Sequence, residues 1–251
     1  MKAIFAKLYQ GLIDLIFPEL PHCPVCGREF SHGEINLCEK CITKIEFIKE
    51  DYCLKCGKLI LSSQDLCYDC QHANHYFDQS RSVGLYDSGL KEYIKLFKYS
   101  KYRTLAGPLG DLMSNYTNRF YNIKDFDIIT YVPVHPNRLA ERGFNQAFLL
   151  AKRIGENLKI GVECLFIRGE DTVKQSKLSR KERLKNLKNK FMIKEGVNIG
   201  GKRILLVDDI YTTGATVDEL ARILLDNGAD SIKIITLVSG RDLSLKRDFN
   251  S

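Results

Sequence analysis

Apolar residues fall into a helical rhythm at the outset, where Ile4, Leu8, Leu12, Leu15 and Ile16 line one face of an expected N-terminal helix. A cysteine-rich, polar stretch interrupts the pattern until about Tyr76. Residues 80–86 then read as a strand, and 89–99 as a helix with Leu90, Ile94 and Phe97 on one face. A second helix is expected over 105–120 and a buried strand over 127–134; a third helix starts near Arg142 to Gln146 and runs to about Asn157. Residues 203–207 form a short apolar run bounded by polar residues, the pattern of a strand covered on both faces. Val217, Leu220, Ala221, Leu224 and Leu225 recur at helical spacing, with a capping-box pair in Thr216 and Glu219 and a stop at Asn227 and Gly228. Ile232, Ile234, Thr236 and Val238 mark the next strand. Strand, loop, helix and strand in that order give an α/β unit, and such sheets bind ligands at the carboxyl ends of their strands.

The loop at that end reads ILLVDDIYTTGAT, residues 204–216. Unpaired N–H groups and the helix dipole make a helix start receptive to phosphate. Gly214 and Ala215 let the backbone come close, while Thr212, Thr213 and Thr216 supply hydroxyl donors. Asp208 and Asp209, when ionised, only accept hydrogen bonds, which suits sugar hydroxyls or hydrated Mg²⁺. Acceptors at one end and phosphate donors at the other fit a ribose 5-phosphate. Neither the ATP-type Gly-x-x-x-x-Gly-Lys-Ser/Thr loop nor a Gly-x-Gly-x-x-Gly after a strand is present.

Eight of the nine cysteines form C-x-x-C pairs: Cys23/Cys26, Cys38/Cys41, Cys53/Cys56 and Cys67/Cys70. One pair grips one side of a tetrahedral Zn²⁺ and a second pair completes it. Glycine follows the second cysteine in CPVCG and CLKCG, where a tight knuckle needs backbone freedom. Sequential pairing of the pairs gives two ribbons; interleaved pairing gives a cross-braced module. Four thiolates leave no open coordination position, so neither site is expected to be catalytic. Disulfides are disfavoured in a chain read as leaderless and cytoplasmic. Asp14 interrupts the apolar N-terminal segment, no small-residue cleavage pattern follows it, and no apolar run is long enough for stable membrane insertion. Cys164, in the apolar run VECLF, is expected to be a buried core residue.

A chain of 251 residues accommodates one full α/β domain and a small module. Its charge is uneven: residues 172–190 hold eight basic residues and one acid, matching the net +7 of the whole chain, so the remainder sums to zero. Concentrated charge of this kind is a footprint for a polyanion. Ser179 and Glu182 make a capping-box pattern inside it. No aromatics interleave this stretch, so Tyr93, Phe97, Tyr99 and Tyr102, mixed with Lys95, Lys98, Lys101 and Arg103, are the expected base-stacking surface.

Residues 204–216 resemble the ribose-phosphate motif of type I phosphoribosyltransferases. Together with YVPVHPNRLAERGFNQA (131–147), TVKQSKLSRKERLKN (172–186) and the cysteine pairs, they resemble the ComF family of competence-associated, phosphoribosyltransferase-like bacterial proteins. The resemblance implies a type I phosphoribosyltransferase-like parallel sheet flanked by helices over 76–251, preceded by an N-terminal helix and double zinc ribbon over 1–75. It implies sequential cysteine pairing and two structural Zn²⁺. Because such a metal site contributes folding energy locally, losing Cys23 or Cys53 is expected to unfold the N-terminal module and leave the sugar-phosphate fold largely intact. It implies that phosphoribosyl diphosphate binds with Mg²⁺, the 2′ and 3′ hydroxyls on Asp208 and Asp209 and the 5′-phosphate in the 212–216 loop. The segment 132–138 matches the pyrophosphate-binding loop, where Arg138 offers a planar fork for phosphate oxygens; His135 is either part of that loop or a bystander. Arg142 and Asn145 are expected at the cleft rim, with a solvated face as the competing role for Arg142 and helix capping for Asn145. The basic stretch matches the loop that closes over substrate, so Lys181, Arg183, Lys185 and Lys188 are expected to contact diphosphate or nucleic acid. The family role implies single-stranded DNA in natural transformation as partner, beside a DNA-uptake helicase or translocase. The alternative is an active phosphoribosyltransferase acting on a nucleobase; no nucleobase pocket is recognisable, and no catalytic residue is assigned.

Overall fold

A computed structural model describes residues 22–31, 33, 35–60, 64–87, 89–168 and 190–242. The expected N-terminal helix lies outside these residues, as do Ser179, Glu182 and the four basic candidates Lys181, Arg183, Lys185 and Lys188. The described strands are β1 (Gln79–Leu85), β2 (Ile128–Tyr131), β3 (Phe166–Arg168), β4 (Phe191–Ile193), β5 (Arg203–Tyr211) and β6 (Ser231–Ser239). β1, β6, β5 and β2 lie side by side in that order, all parallel, while β3 and β4 form a separate antiparallel pair.

The helices are α1 (Glu39–Ile42), α2 (Tyr68–Gln71), α3 (Gly89–Phe97), α4 (Ala106–Phe120), α5 (Pro136–Arg142), α6 (Gln146–Leu158) and α7 (Ala215–Asp226), with a 3₁₀ turn at Ser100–Leu105. The apolar run of β5 is explained by its two covered faces. Leu205 and Val207 join a core with α3, α4 and α6; Ile204 and Leu206 join another with α7, β3 and β4. β5 is longer than the apolar run suggests. Asp208 still pairs with Thr236 and Tyr211 with Ser239, so the two acids sit on the strand end itself.

The cysteine segments repeat one design. Cys23 N–H donates to Arg28 O and Gly27 N–H to Cys23 O, and the same pattern recurs with Cys53, Lys58 and Gly57. Gly27 and Gly57 have φ of 70° and 73°, the left-handed turn expected just after each knuckle. Cys38 and Cys67 then precede α1 and α2 as their N-caps. The linker between the two repeats covers the outer edge of β1, through Leu85 N–H to Glu46 O and Ile48 N–H to Val83 O, both 3.0 Å. Neither repeat stands apart from the sheet. Cys23, Cys38 and Cys41 share one core with Val83, Leu90 and Tyr93; Cys53, Cys56 and Cys67 share the other with Phe77, Tyr211 and Leu220. The expectation of purely local unfolding on losing a cysteine therefore does not fit the packing.

Cys164 departs from expectation. It is half-exposed, with its Sγ 3.7 Å from Phe166 O. Leu165 and Phe166 fill the core in its place.

Candidate sugar-phosphate cleft and cysteine clusters

β2 and β5 are neighbours, so their carboxyl ends open into one cleft. After β2 the chain turns through Val132 to His135 into α5, where the sequence reading expected only a loop. His135 is buried and acts as the N-cap, its Nδ1 accepting from Asn137 N–H at 3.2 Å; Pro136 follows, and Gly143 at φ 78° ends the helix. Asn145 performs both roles weighed for it. Its Oδ1 caps α6 by accepting from Phe148 N–H, its Nδ2 donates to Val132 O at 3.0 Å, and it lines the cleft.

The cleft is a cavity of about 300 Å³. Among the expected residues, Arg138, Asp208, Asp209, Thr212 and Thr216 line it. Thr213, Gly214 and Ala215 instead line a smaller adjoining recess, which Asp208, Thr212 and Thr216 share. Two lining residues carried no site signal in the sequence, Gln146 from the start of α6 and Arg168 from the end of β3; Lys98, just past α3, was expected on a stacking surface and lines the cleft instead. Arg142 also lines the cleft and donates to Gln146 Oε1 at 3.1 Å. That contact fixes the amide so that Nε2 is the remaining donor; it is buried and has no hydrogen-bond partner among the described residues. Four cations (Lys98, Arg138, Arg142, Arg168) thus line the cavity with two acids, a balance that favours an anionic ligand.

The two acids are not equivalent. Asp208 is half-buried, and its Oδ1 accepts from Asp209 N–H at 2.8 Å. Burial, then the neighbouring Asp209 charge, pushes the Asp208 carboxyl well above the ordinary carboxylate range, against the pull of that N–H and of Arg168. Two carboxylates held this way call for a cation or hydroxyl donors between them.

The capping box expected at Thr216 and Glu219 does not form. Gly214, at φ 75°, takes the N-cap position and α7 starts one residue before Thr216; Glu219 pairs with Arg222 at 2.9 Å instead. Left-handed geometry suits glycine, and space requires it: a Cβ here would meet Tyr211 Cζ at 2.6 Å, with the hydroxyl closer still. We predict that Gly214→Ala costs about 1–2 kcal/mol from backbone handedness alone. It should also lower the melting temperature. An unchanged melt would mean that Tyr211 swings aside freely.

The expected stacking surface is only partly available. Tyr93 and Phe97 are fully buried, and Tyr93 Oη donates to Cys41 O at 2.7 Å. Tyr99 is 64% exposed and Tyr102 half-buried.

The cysteines gather sequentially, Cys23, Cys26, Cys38 and Cys41 in one cluster and Cys53, Cys56, Cys67 and Cys70 in the other, all sulfurs in each within 4.8 Å of one another. Zinc bound to four thiolates at about 2.3 Å requires sulfurs about 3.8 Å apart. Cys26 to Cys38 at 3.5 Å and Cys56 to Cys67 at 3.6 Å fit that tetrahedron. Hydrogen bonds from Cys56, Cys67 and Cys70 hold the Cys53 thiol below its ordinary range, while the same partnership with Cys53 drives Cys56 upward. Shared protons of this kind are what a divalent cation displaces. Two Cys₄ zinc-binding sites follow.

Comparison with known proteins fits both halves. A double zinc ribbon domain model matches residues 12–71, and a phosphoribosyl transferase domain model matches residues 145–250. Competence protein ComFC of Streptococcus pneumoniae is 33% identical over 210 residues, which are 80% of this chain and 87% of that protein. Competence protein F of Haemophilus influenzae is 30% identical over 218 residues, 84% and 94% of the respective chains. DNA utilization protein YhgH of Escherichia coli is 28% identical over 216 residues, again 84% and 94%. Among solved structures, a purine phosphoribosyltransferase from Pyrococcus horikoshii aligns with 53% of this chain and 72% of its own at 20% identity, TM-score 0.33. No helix among the described residues is long and apolar enough to cross a membrane.

Proposed function

We propose a function from one premise: the chain belongs to the ComF family of competence proteins, with a double zinc ribbon joined to a type I phosphoribosyltransferase fold. On that premise the cleft binds phosphoribosyl diphosphate with Mg²⁺, and the protein serves DNA uptake by handling single-stranded DNA beside an uptake helicase or translocase. The observation that carries the sugar-phosphate reading is the order of chemistry along the cleft. The Thr212 to Thr216 loop at the start of α7 offers N–H and hydroxyl donors to a terminal phosphate. Asp208 and Asp209 come next and would accept the ribose hydroxyls and hold hydrated Mg²⁺. Arg138, Arg142 and the buried Gln146 amide line the same cavity and would meet the diphosphate.

Calorimetric titration with phosphoribosyl diphosphate, with and without Mg²⁺, tests the ligand. Heat only in the presence of Mg²⁺ is the expected result; no heat in either case refutes it.

The DNA reading rests on charge. If the basic stretch tracks a strand, affinity for single-stranded DNA should fall with salt by a log–log slope of about 0.7 per neutralised phosphate. Alanine at Lys181, Arg183, Lys185 and Lys188 together should flatten that slope by up to about 2.8. Exposed Tyr99 is the aromatic left to stack, and Tyr99→Ala should cost about 1–3 kcal/mol per base that it holds. A salt-independent affinity, or one untouched by the four substitutions, would remove the basic stretch from DNA binding. The enzyme reading forecasts the reverse, negligible DNA binding at moderate salt and pyrophosphate release when the right nucleobase is supplied.

A further inference from the structure

The second cysteine cluster reaches the phosphate loop through one side chain. Cys70 Sγ lies 3.5 Å from His75 Nε2. On the other side of the ring, His75 Nδ1 stands 3.4 Å from Asp218 Oδ1, an ion-pair distance off the hydrogen-bond axis. The ring is sealed from solvent, its side chain 3% exposed, and it stacks on Phe77 with centroids 4.7 Å apart. Asp218 belongs to the first turn of α7, where its N–H donates to Gly214 O at 2.8 Å. Its Oδ1 also accepts from Tyr76 N–H at 2.7 Å. Phe77 in turn meets Tyr211 edge-on, and Tyr211 is the ring that packs over Gly214. A metal-binding cysteine, a histidine, an aspartate and the start of the helix after the 212–216 loop therefore form one partly buried chain.

Among the described residues, no histidine and carboxylate join the first cluster to the 212–216 loop. Its Cys41 O accepts from Tyr93 Oη, and Cys23, Cys38 and Cys41 pack in the core on the other face of the sheet, with α3 and α4. The two metal sites are thus alike in ligands and unlike in what they touch.

We propose that metal binding at Cys53, Cys56, Cys67 and Cys70 and ligand binding at the 212–216 loop are coupled, with His75 and Asp218 as the positioning residues that join them. Groups outside a metal's ligand set that bond to its ligands fix their orientation, and His75 stands at hydrogen-bonding distance from the Cys70 sulfur. Here that arrangement extends to a carboxylate on the helix that bears the phosphate site. A metal tetrahedron fixes Cys70, Cys70 fixes the imidazole, and the imidazole holds Asp218 and the first turn of α7. The ligand half of this coupling rests on the sugar-phosphate reading of the cleft; the link between metal site and loop does not.

Two measurements on the full, zinc-loaded chain test the proposal separately. The first is amide hydrogen exchange without ligand. His75→Ala should speed exchange over 212–220 by about tenfold and leave α6 unchanged, while zinc content stays the same because all ligand cysteines remain. His75→Gln, which keeps an amide to meet one of the two partners, should recover part of the protection. No change over 212–220, or an equal rise in α6, would overturn the link. The second is equilibrium competition with a chelator for the zinc held by Cys53, Cys56, Cys67 and Cys70. Because coupling is reciprocal, phosphoribosyl diphosphate with Mg²⁺ should tighten zinc binding there by about 5- to 150-fold in the wild-type chain and much less in His75→Ala. Equal tightening in both would overturn the role of His75. A wild-type chain that binds no phosphoribosyl diphosphate by calorimetry would instead overturn the reading of the cleft, with the exchange result still standing as the test of the link.

Discussion

Replacing Asp208 and Asp209 together by asparagine is expected to abolish most affinity for phosphoribosyl diphosphate with Mg²⁺ while raising the melting temperature. The binding loss follows from the charge-assisted contacts removed, each worth ~1.5–3 kcal/mol, so affinity should fall about 10²- to 10⁴-fold. The stability gain follows from the position of Asp208. Burial and the adjacent Asp209 charge raise its folded-state pKa above the unfolded value. A carboxyl raised in this way binds more protons folded than unfolded, so stability falls as pH climbs from the ordinary carboxylate value toward the raised one. Asparagine removes that penalty. The wild-type chain should therefore lose stability as pH rises through this window and gain ligand affinity over the same range, because the ligand needs the ionised pair. Thermal melts from pH 4 to 8, paired with calorimetry, read both trends. Unchanged affinity in the double variant would show the ligand to be held elsewhere, and a lower melting temperature would show the acids to be structural.

The β5 acids also show how far periodicity reaches. The apolar run ends at Val207, yet the strand continues to Tyr211, because ladder bonds to β6 depend on backbone N–H and C=O groups and not on side-chain polarity. The expected Thr216 cap fails for a related reason. Gly214 enters the helix from a left-handed turn over Tyr211, a tertiary contact that no capping pattern encodes. Helix α5 was written in the sequence, with a capping His135, Pro136 just inside and Gly143 just after, but its match to a binding loop masked those signs. Tyr93 and Phe97 belong to the same helical face as Leu90 and Ile94, so spacing alone placed them in the core and not on a stacking surface. The cysteine clusters were legible because their ligands are close in sequence. Gln146 and Arg168 were not, and Lys98 was placed on a stacking surface, since chain segments far apart bring all three to one cleft. Metal-ligand spacing is local chemistry; the wall of a cleft is a product of topology.

Stripping the metal should destabilise more than the cysteine-rich segments. Purified in reduced form without added metal, the chain should carry about two Zn²⁺, one for each set of four thiolates. Apparent binding energies of about 10–16 kcal/mol for structural zinc in small modules equal or exceed the net stability of about 5–15 kcal/mol typical of a whole domain. Were the ribbons free-standing, removal would leave the sheet untouched. Instead Cys53, Cys56 and Cys67 are packed with Phe77, Tyr211 and Leu220, and Cys23, Cys38 and Cys41 with Val83, Leu90 and Tyr93. The linker between them also covers the β1 edge. Chelation should therefore lower the melting temperature of the sheet, expose β1, and promote aggregation that restored Zn²⁺ reverses. Cys53→Ser should depress the melt of the Tyr211 side of the sheet as well as the ribbon, which amide exchange in α7 would report. Zinc content near zero in folded, reduced protein would refute the metal assignment. Chelation that unfolds residues 22–76 while β5, β6 and α7 keep their protection would show the shared cores to be dispensable, and the ribbon to be an attachment in place of a structural part of the sheet.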